Sequence, residues 1–397
     1  MGNKYASKTK YIRRRIGKVN TPLNKKIKNV EWGEFKINEL FEKIQVKALK
    51  YKTSELPSIP NHNFNLPALT AGIQNQGLNN YVERKNATIL KNVISISANG
   101  ANTGATFYQN KEFTVLQDAY AIKWIGTKNE LSDSQYLFFA NSISKTIFGN
   151  YEWTNKAGWE KIKGNKIQIP IKNDKIDFEF LESFVAELET ERIKKLDDYL
   201  VANGLKDYML TVEEKQVLKD FESEKIKFRD FEIQTLFEVS PSRAYKMNDK
   251  KILTENGKTP YVSNQSQDNG YIGWSNLEPL NPSNVITLSD TWQSERTIFY
   301  QNAEFIGKSH LQVMKAYDAK FKKFELFYVI SSFRKAILEM KYDYGTKFNR
   351  SKIKTTKIQL PEKDNHPNYE LMNTLISAIQ KLVIKDVVLY VNNKING

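Results

Sequence analysis

The chain has 397 residues, 40% of them hydrophobic and 12% aromatic, with no cysteine and only three histidines. This length suits roughly two to four domains with their own cores, and the missing cysteines exclude disulfide scaffolds, cysteine zinc sites, iron–sulfur clusters and thiol nucleophiles. Lys and Arg outnumber Asp and Glu by 60 to 45, and a net charge of +15 points to a polyanionic partner, nucleic acid first.

The elements follow in chain order. Residues 1–30 form a basic tail carrying Lys4, Lys8, Lys10, Arg13, Arg14, Arg15, Lys18, Lys25, Lys26 and Lys28 without an acid. Such a tail is either a solvated leader or an accessory source of phosphate attraction. A first mixed α/β domain is expected over 31–175. Its β-branched runs 93–97 and 119–124 read as strands, 135–147 as a helix, and a last strand closes at Pro170. From Asp177 the apolar residues Phe180, Leu181, Phe184, Val185, Leu188, Ile193, Leu196 and Leu200 take helical spacing, which gives a central helix over 176–206. Residues 207–228, with Glu213, Glu214, Glu222 and Glu224, read as an exposed charged linker or helix.

A second domain over 229–366 repeats the order, with strands at 285–289 and 311–315, a helix over 323–340 and a strand closing at Pro361. A C-terminal helix follows over 367–397, its apolar face including Leu375, Ile379 and Leu382. The fold class is α+β: two tandem mixed α/β domains, each followed by a long helix. A helix of about 25 residues is about 38 Å long. Either each helix packs on its own domain, or Leu181, Phe184, Leu188 and Leu196 of one meet Leu375, Ile379 and Leu382 of the other in an antiparallel coiled coil with pseudo-twofold symmetry. No apolar run is long enough to span a bilayer and no secretory leader opens the chain, so a cytoplasmic location without a membrane partner is expected.

The two halves are copies. Glu34–Glu42, the polar run after Pro67, Phe107–Phe113 and Lys166–Pro170 return at offsets of 196, 193, 192 and 191 as Asp230–Glu238, the run after Pro260, Phe299–Phe305 and Lys357–Pro361. A slowly shrinking offset marks one duplication with a few loop deletions.

The differences between the copies carry the functional candidates. Aligned without a gap, 93–113 and 285–305 agree at nine of 21 positions, none of them within 98–106 or 290–298. One copy offers Asn99, Asn102 and Thr103 there; the other offers Asp290, Thr291, Trp292, Gln293, Ser294 and Arg296. Loop drift explains this, or else one frame carries two readers of different targets, since such side chains suit hydrogen-bonded readout of base edges. Asn75, Gln76, Asn79 and Asn80 face a segment preceded by Ser263, Asn264, Gln265 and Ser266. Trp153, Lys156, Lys161 and Lys163 are matched by Tyr344, Lys347, Lys352 and Lys354. Either they form a phosphate-contacting ridge, or the wet face of a strand. Lys308, Ser309 and His310 complete the candidates. No Walker loop, amino-methyltransferase motif or convincing metal cluster is present, so no catalysis, no metal and no cofactor are expected.

Together the residues resemble a known family. Trp32-Gly33-Glu34-Phe35 with Leu40-Phe41, Pro260-Tyr261-Val262-Ser263 with Asn269-Gly270, Phe107-Tyr108-Gln109-Asn110 and Ile358-Gln359-Leu360-Pro361 resemble the specificity subunits of type I restriction–modification systems and their type IIB relatives. The resemblance covers about 31–391. It departs at Pro67-Ala68-Leu69, and in helices short for type I, which leaves the subtype open. It implies two target-recognition domains that each read one half of a bipartite double-stranded DNA site, with helices setting the spacing. It also implies docking of methyltransferase subunits, and through them a restriction subunit, by a subunit with no chemistry of its own. A freestanding bipartite nucleic-acid-binding protein and a cryptic nuclease are the competing readings.

Overall fold

All five residues of Val93–Ser97 are buried in the computed structural model, as are all five of Val285–Ser289. Each is an interior strand of a four-stranded sheet, and a strand covered on both faces reads as a continuous run, not an alternation. The structure describes residues 22–128, 130–291, 294–340 and 348–396, in two units divided between Leu196 and Asp197.

In the first unit α1 (Pro22–Lys28), β1 (Glu31–Lys36), α2 (Ile37–Leu40) and β2 (Phe41–Lys43) precede β3 (Leu66–Leu69), β4 (Leu78–Val82) and β5 (Val93–Ser97). Next come β6 (Thr106–Gln109), β7 (Thr114–Val115), β8 (Ala119–Trp124), α3 (Asp133–Ile147), α4 (Trp159–Ile162), β9 (Lys166–Lys172) and β10 (Lys175–Ile176). The long helix α5 (Phe178–Ala202) begins here. The strands form three sheets, ordered β1-β9-β10, β2-β8-β5-β6 and β4-β3-β7.

The second unit repeats this plan. It contains α6 (Val212–Glu222), β11 (Phe228–Glu232), α7 (Ile233–Leu236), β12 (Phe237–Pro241), α8 (Asp249–Ile252), β13 (Thr259–Val262), β14 (Tyr271–Ser275), β15 (Val285–Ser289) and β16 (Phe299–Gln301). Then follow β17 (Ile306–Gly307), β18 (Leu311–Ala316), α9 (Lys323–Met340), α10 (Arg350–Thr355), β19 (Lys357–Lys363), β20 (His366–Pro367) and α11 (Tyr369–Asn396). Its sheets are β11-β19-β20, β12-β18-β15-β16 and β14-β13-β17, strand for strand those of the first unit. Even a register shift is duplicated, between Ala68 and Leu69 in β3 and between Tyr261 and Val262 in β13.

Equivalent cores lie between the four-stranded sheet and the helix after it. Ile37, Phe41, Ile94, Ile122, Phe139 and Ile143 fill one; Ile233, Phe237, Ile286, Met314, Ile330 and Phe333 fill the other. Tyr108 donates to Asp133 at 2.6 Å with Asn92 Oδ1 nearby at 3.4 Å, Tyr300 donates to Asn284, and Gln109 donates to Ser95 as Gln301 does to Thr287. The Phe-Tyr-Gln-Asn landmark thus works inside the fold.

Four expectations change. The closing strands do not stop at Pro170 and Pro361 but run two residues on, to Lys172 and Lys363. Each proline carbonyl accepts a backbone bond, from Asp177 and Asn368 respectively. The missing N–H therefore points to that same side, beyond the short β10 or β20 pairing, and costs no ladder bond with β1 or β11. Leu181 and Phe184 belong to their own domain: Leu181 is fully buried in the first core, and Phe184 lies 6.1 Å from Phe138 and 5.5 Å from Phe180. Burial removes Leu181 from the face free for a helix partner, and the half-buried Phe184 spends its ring on its own domain. Lys161, Lys352 and Lys354 sit on the short helices α4 and α10, with Lys163 capping α4, so among the described residues of this lysine series only Lys166 and Lys357 are on strands. The fourth concerns Glu214.

Glu214 is buried, not exposed, because α6 packs on α11. Thr211 and Glu214 form a reciprocal N-terminal cap. The carboxylate also accepts from Ser377 at 2.7 Å and faces the Lys381 ammonium at 3.1 Å; Asp207 holds the same ammonium at 2.8 Å. Burial alone would push the Glu214 carboxyl up, but the bonds from Ser377, Thr211 and Lys381 bring it below its ordinary range. The Lys381 ammonium and the Met209 amide lower Asp207. A depressed folded-state pKa adds stability that is present at neutral pH and lost as pH falls through the carboxylate range. Acidification is therefore expected to loosen 207–222. Lys381→Ala should cost about 2 kcal/mol, between an exposed and a fully buried pair. Hydrogen exchange of the α6 amides, corrected for intrinsic rates, reads both effects.

Candidate nucleic-acid interface

The loop after the interior strand is pinned by the same backbone bond in both units. The Ala98 N–H donates to the Asp118 carbonyl at 2.8 Å, and the Asp290 N–H to the His310 carbonyl at 3.3 Å. Because main-chain atoms make this tie, the side chains on it can vary without moving the loop. They do vary. In the first unit Asn99 Nδ2 donates to Asp118 Oδ1 at 2.8 Å, and the Tyr120 hydroxyl donates to the Ala157 carbonyl. In the second, Asp290 Oδ1 lies 3.3 Å from His310 Nδ1, and its Oδ2 accepts from Gln312 Nε2 at 2.6 Å. Gln312 Oε1 in turn accepts from Arg350 Nε at 2.8 Å. At the positions of Asp290, His310, Gln312 and Arg350 the first unit has Ala98, Asp118, Tyr120 and Trp159.

The second polar segment is a left-handed turn in both copies. Asn75, Gln76 and Gly77 have φ of 45°, 55° and 88°; Asp268, Asn269 and Gly270 have 50°, 53° and 79°. Only the third position demands glycine, since a Cβ on Gly77 would stand 2.6 Å from the Thr70 carbonyl. The Thr70 N–H donates to Gly77 and the Ser263 N–H to Gly270, closing each turn against its strand. Consecutive non-glycine residues at positive φ carry backbone strain of about 1 kcal/mol each, a feature that clusters at functional loops.

The turn holds Asn75 and Gln76 in solvent, with Asn79 also exposed. In the second unit Ser266 is exposed and Asn264 half-buried. Gln265 is spent on the carbonyls of Gln267 and Tyr271. Asn269 reaches across to the Tyr300 carbonyl.

Three candidates are structural. Asn80 is buried and donates to the Leu56 carbonyl at 3.0 Å. Thr103 is 2% exposed and its hydroxyl accepts from the Ala157 N–H at 3.0 Å, joining the 98–106 loop to the segment before α4. Ser263 is buried against the Gly270 carbonyl. Groups so committed cannot meet a base edge without dismantling the loop, and nothing in the sequence distinguishes them from their exposed neighbours.

Around them lie basic and aromatic groups. Trp153 is 71% exposed and Lys156 is exposed beside it. Lys161 bonds Asn155, and Lys163 pairs with Glu160. Lys43, Lys156, Trp159 and Lys161, with Glu42 and Glu160, line an open cleft of about 570 Å³. In the second unit Lys308 is held by Asp249 at 2.5 Å over the Tyr261 ring, and the pair lowers the Asp249 carboxyl. Ser309 and His310 are exposed, His310 at a φ of 62°. Thr291 is half-buried against Ser289, Asn99 and Asn102 are half-buried, and Arg296 is exposed beside Glu295. Lys352 and Lys354 are half-buried on α10. Trp292, Gln293, Tyr344 and Lys347 lie outside the described residues, as does the side chain of Ser294.

Gln312 and Arg350 escaped sequence reading. They are 38 residues apart, and Gln312 stands in an apolar strand where an amide reads as an interruption. Among the described residues, no group of three or more His, Asp or Glu is placed to hold a metal ion, and no helix is long and apolar enough to cross a membrane.

Comparison with known proteins agrees with the duplication. The model of the type I restriction modification DNA specificity domain matches twice, at 29–198 and 226–389. The chain is 20% identical over 360 residues to the type II restriction enzyme BcgI specificity subunit of Heyndrickxia coagulans, covering 89% of this chain and 96% of that one. In fold it is similar to the type I restriction–modification S subunit from M. genitalium, with a TM-score of 0.58, 15% identity and 93% of each chain covered.

The Thr103 bond generates a test. Thr103→Val should destabilise the first unit by about 1–2 kcal/mol, because it leaves the Ala157 N–H without its acceptor. Faster exchange confined to the Ala157 amide and the 98–106 loop is the expected readout.

Proposed function

Since the chain belongs to the family of type I restriction–modification DNA specificity domains and carries that domain twice, we propose that each copy reads one half of a bipartite double-stranded DNA target. The observation that carries this reading is one backbone frame presenting different polar side chains at equivalent positions, Ala98, Asp118, Tyr120 and Trp159 against Asp290, His310, Gln312 and Arg350. Two identical readers would need no such divergence. Unrelated readers would not keep the same main-chain bond.

The exposed Asn75 and Gln76 on one strained turn, Asn79 on the strand after it, and Ser266 just before the other turn approach base edges in a groove. Trp153, Lys156 and Lys161 supply sequence-independent contacts to the sugar–phosphate backbone. With +15 overall, the chain attracts duplex DNA before any base is read.

Helices α5 and α11 set the distance between the half-sites, in this reading as an antiparallel pair. With Leu181 in a domain core, Phe184 packed against it and Leu375 buried, the pairing falls to Leu188 and Leu196 on one helix and to exposed apolar residues of α11 on the other. Ile379, Leu382, Val383, Val387 and Tyr390 are all at least 37% exposed on α11, more apolar surface than a helix leaves to water without a partner. Methyltransferase subunits dock there, and a restriction subunit is recruited through them. The subunit contributes recognition and no chemistry, in the cytoplasm where its DNA is.

Selection of bound duplexes from a random library by the full-length chain tests this reading. Two short fixed motifs with a constant unspecified spacer are expected, and binding without an enriched sequence would contradict it. Lys156→Ala should weaken binding to all duplexes alike, with a salt slope shallower by about one.

A further inference from the structure

Arg350 is an exposed arginine with an unusual support. Its Nε donates to Gln312 Oε1 at 2.8 Å, and Gln312 is only 2% exposed. The other end of that amide donates to Asp290 Oδ2 at 2.6 Å. The amide's orientation follows from chemistry: a carboxylate only accepts and a guanidinium only donates, so the NH2 must face Asp290 and the oxygen must face Arg350. Asp290 is fixed in turn by its own backbone bond to His310 and by contact with the His310 ring. A buried strand residue thus orients a surface guanidinium, and does so through its Nε. The pair of Nη groups is left as the outward end.

An outward Nη pair is the donor geometry that meets O6 and N7 of guanine in the major groove. Long-range attraction to the phosphate backbone needs no fixed orientation, whereas a guanidinium that forks onto one chosen pair of acceptors does. Building a buried amide and a carboxylate beneath one makes sense where direction matters, because pre-setting the side chain removes the rotamer cost of docking. The first unit lacks every part of this support: Trp159 stands in place of Arg350, Tyr120 in place of Gln312 and Ala98 in place of Asp290.

We propose that Arg350 is the residue with which the second domain reads a guanine in its half-site, with Gln312 and Asp290 as positioning residues. This rests on the reading that each domain recognises half of a bipartite duplex. It names a base and the atoms that recognise it.

Random-duplex selection is repeated with Arg350→Ala, Arg350→Lys and Gln312→Leu in the full-length chain. With the wild type, one half-site is expected to contain a guanine whose replacement weakens binding by about tenfold or more. Arg350→Ala should abolish preference at that one position and Arg350→Lys, which keeps a donor but loses the fork, should reduce it; both should leave the other half-site untouched. Gln312→Leu should weaken the preference without erasing it, since the guanidinium persists but swings freely. Arg350 is exposed, so its variants fold whatever becomes of Gln312→Leu.

A bipartite wild-type motif that Arg350→Ala leaves unchanged would overturn the assignment alone. Uniform weakening across all sequences with base preference intact would also overturn it, making Arg350 a phosphate contact. A wild-type chain that enriches no bipartite motif would contradict the underlying reading instead.

Discussion

The loops in which the two halves differ most, 98–106 and 290–298, each start from the same main-chain hydrogen bond, made once by Ala98 to Asp118 and again by Asp290 to His310. It fixes where a loop leaves the interior strand and where the neighbouring strand of the sheet, β8 or β18, begins. Main-chain atoms do not mutate, so a bond between them survives any change of side chain short of proline. A buried sheet beneath supplies rigidity: β5 and β15 are fully covered, and the Gln109–Ser95 and Gln301–Thr287 bonds tie each to its hairpin partner. Recognition chemistry can diverge freely above such a frame, as function often does on loops held by a scaffold.

The divergence is chemically coherent. The first unit uses neutral or singly bonded groups, Asn99 on Asp118 and Tyr120 on a carbonyl, beside an exposed tryptophan and a lysine-lined cleft. The second uses a relay from carboxylate to amide to guanidinium, with a lysine neutralised by Asp249. One surface suits contacts tolerant of sequence, and the other a directional donor. The strained turns at 75–77 and 268–270 are common to both, so they belong to the shared frame, while the side chains they carry differ.

Much of this was legible in the sequence. Duplication appears as a drifting offset because the copies kept their strands and lost loop residues; Val93–Ser97 and Val285–Ser289 stand out because burial on both faces leaves an unbroken β-branched run. Helices at 323–340 and from 177 onward follow from apolar spacing alone. What stayed hidden depends on contacts between distant residues. Glu214 reads as a solvated charge until α6 packs on α11 and brings Ser377 and Lys381 to it. Thr103 is indistinguishable from Asn102 by type, yet one is a buried acceptor and the other is not. Leu181 and Phe184 carry the same helical spacing as Leu188, but one 25-residue helix can serve a core at one end and a partner at the other. The Gln312–Arg350 bond joins a strand to a helix 38 residues later, and no local pattern announces it.

The central claim is that two differently equipped readers act on one duplex at a fixed separation. The most direct measurement is the affinity of the full-length chain for its selected duplex against the same duplex with about five base pairs added between the half-sites, roughly half a helical turn. Two linked readers predict that binding falls to the level of a duplex carrying a single half-site, because the second motif is turned to the opposite face. Unchanged affinity would contradict simultaneous reading by both domains.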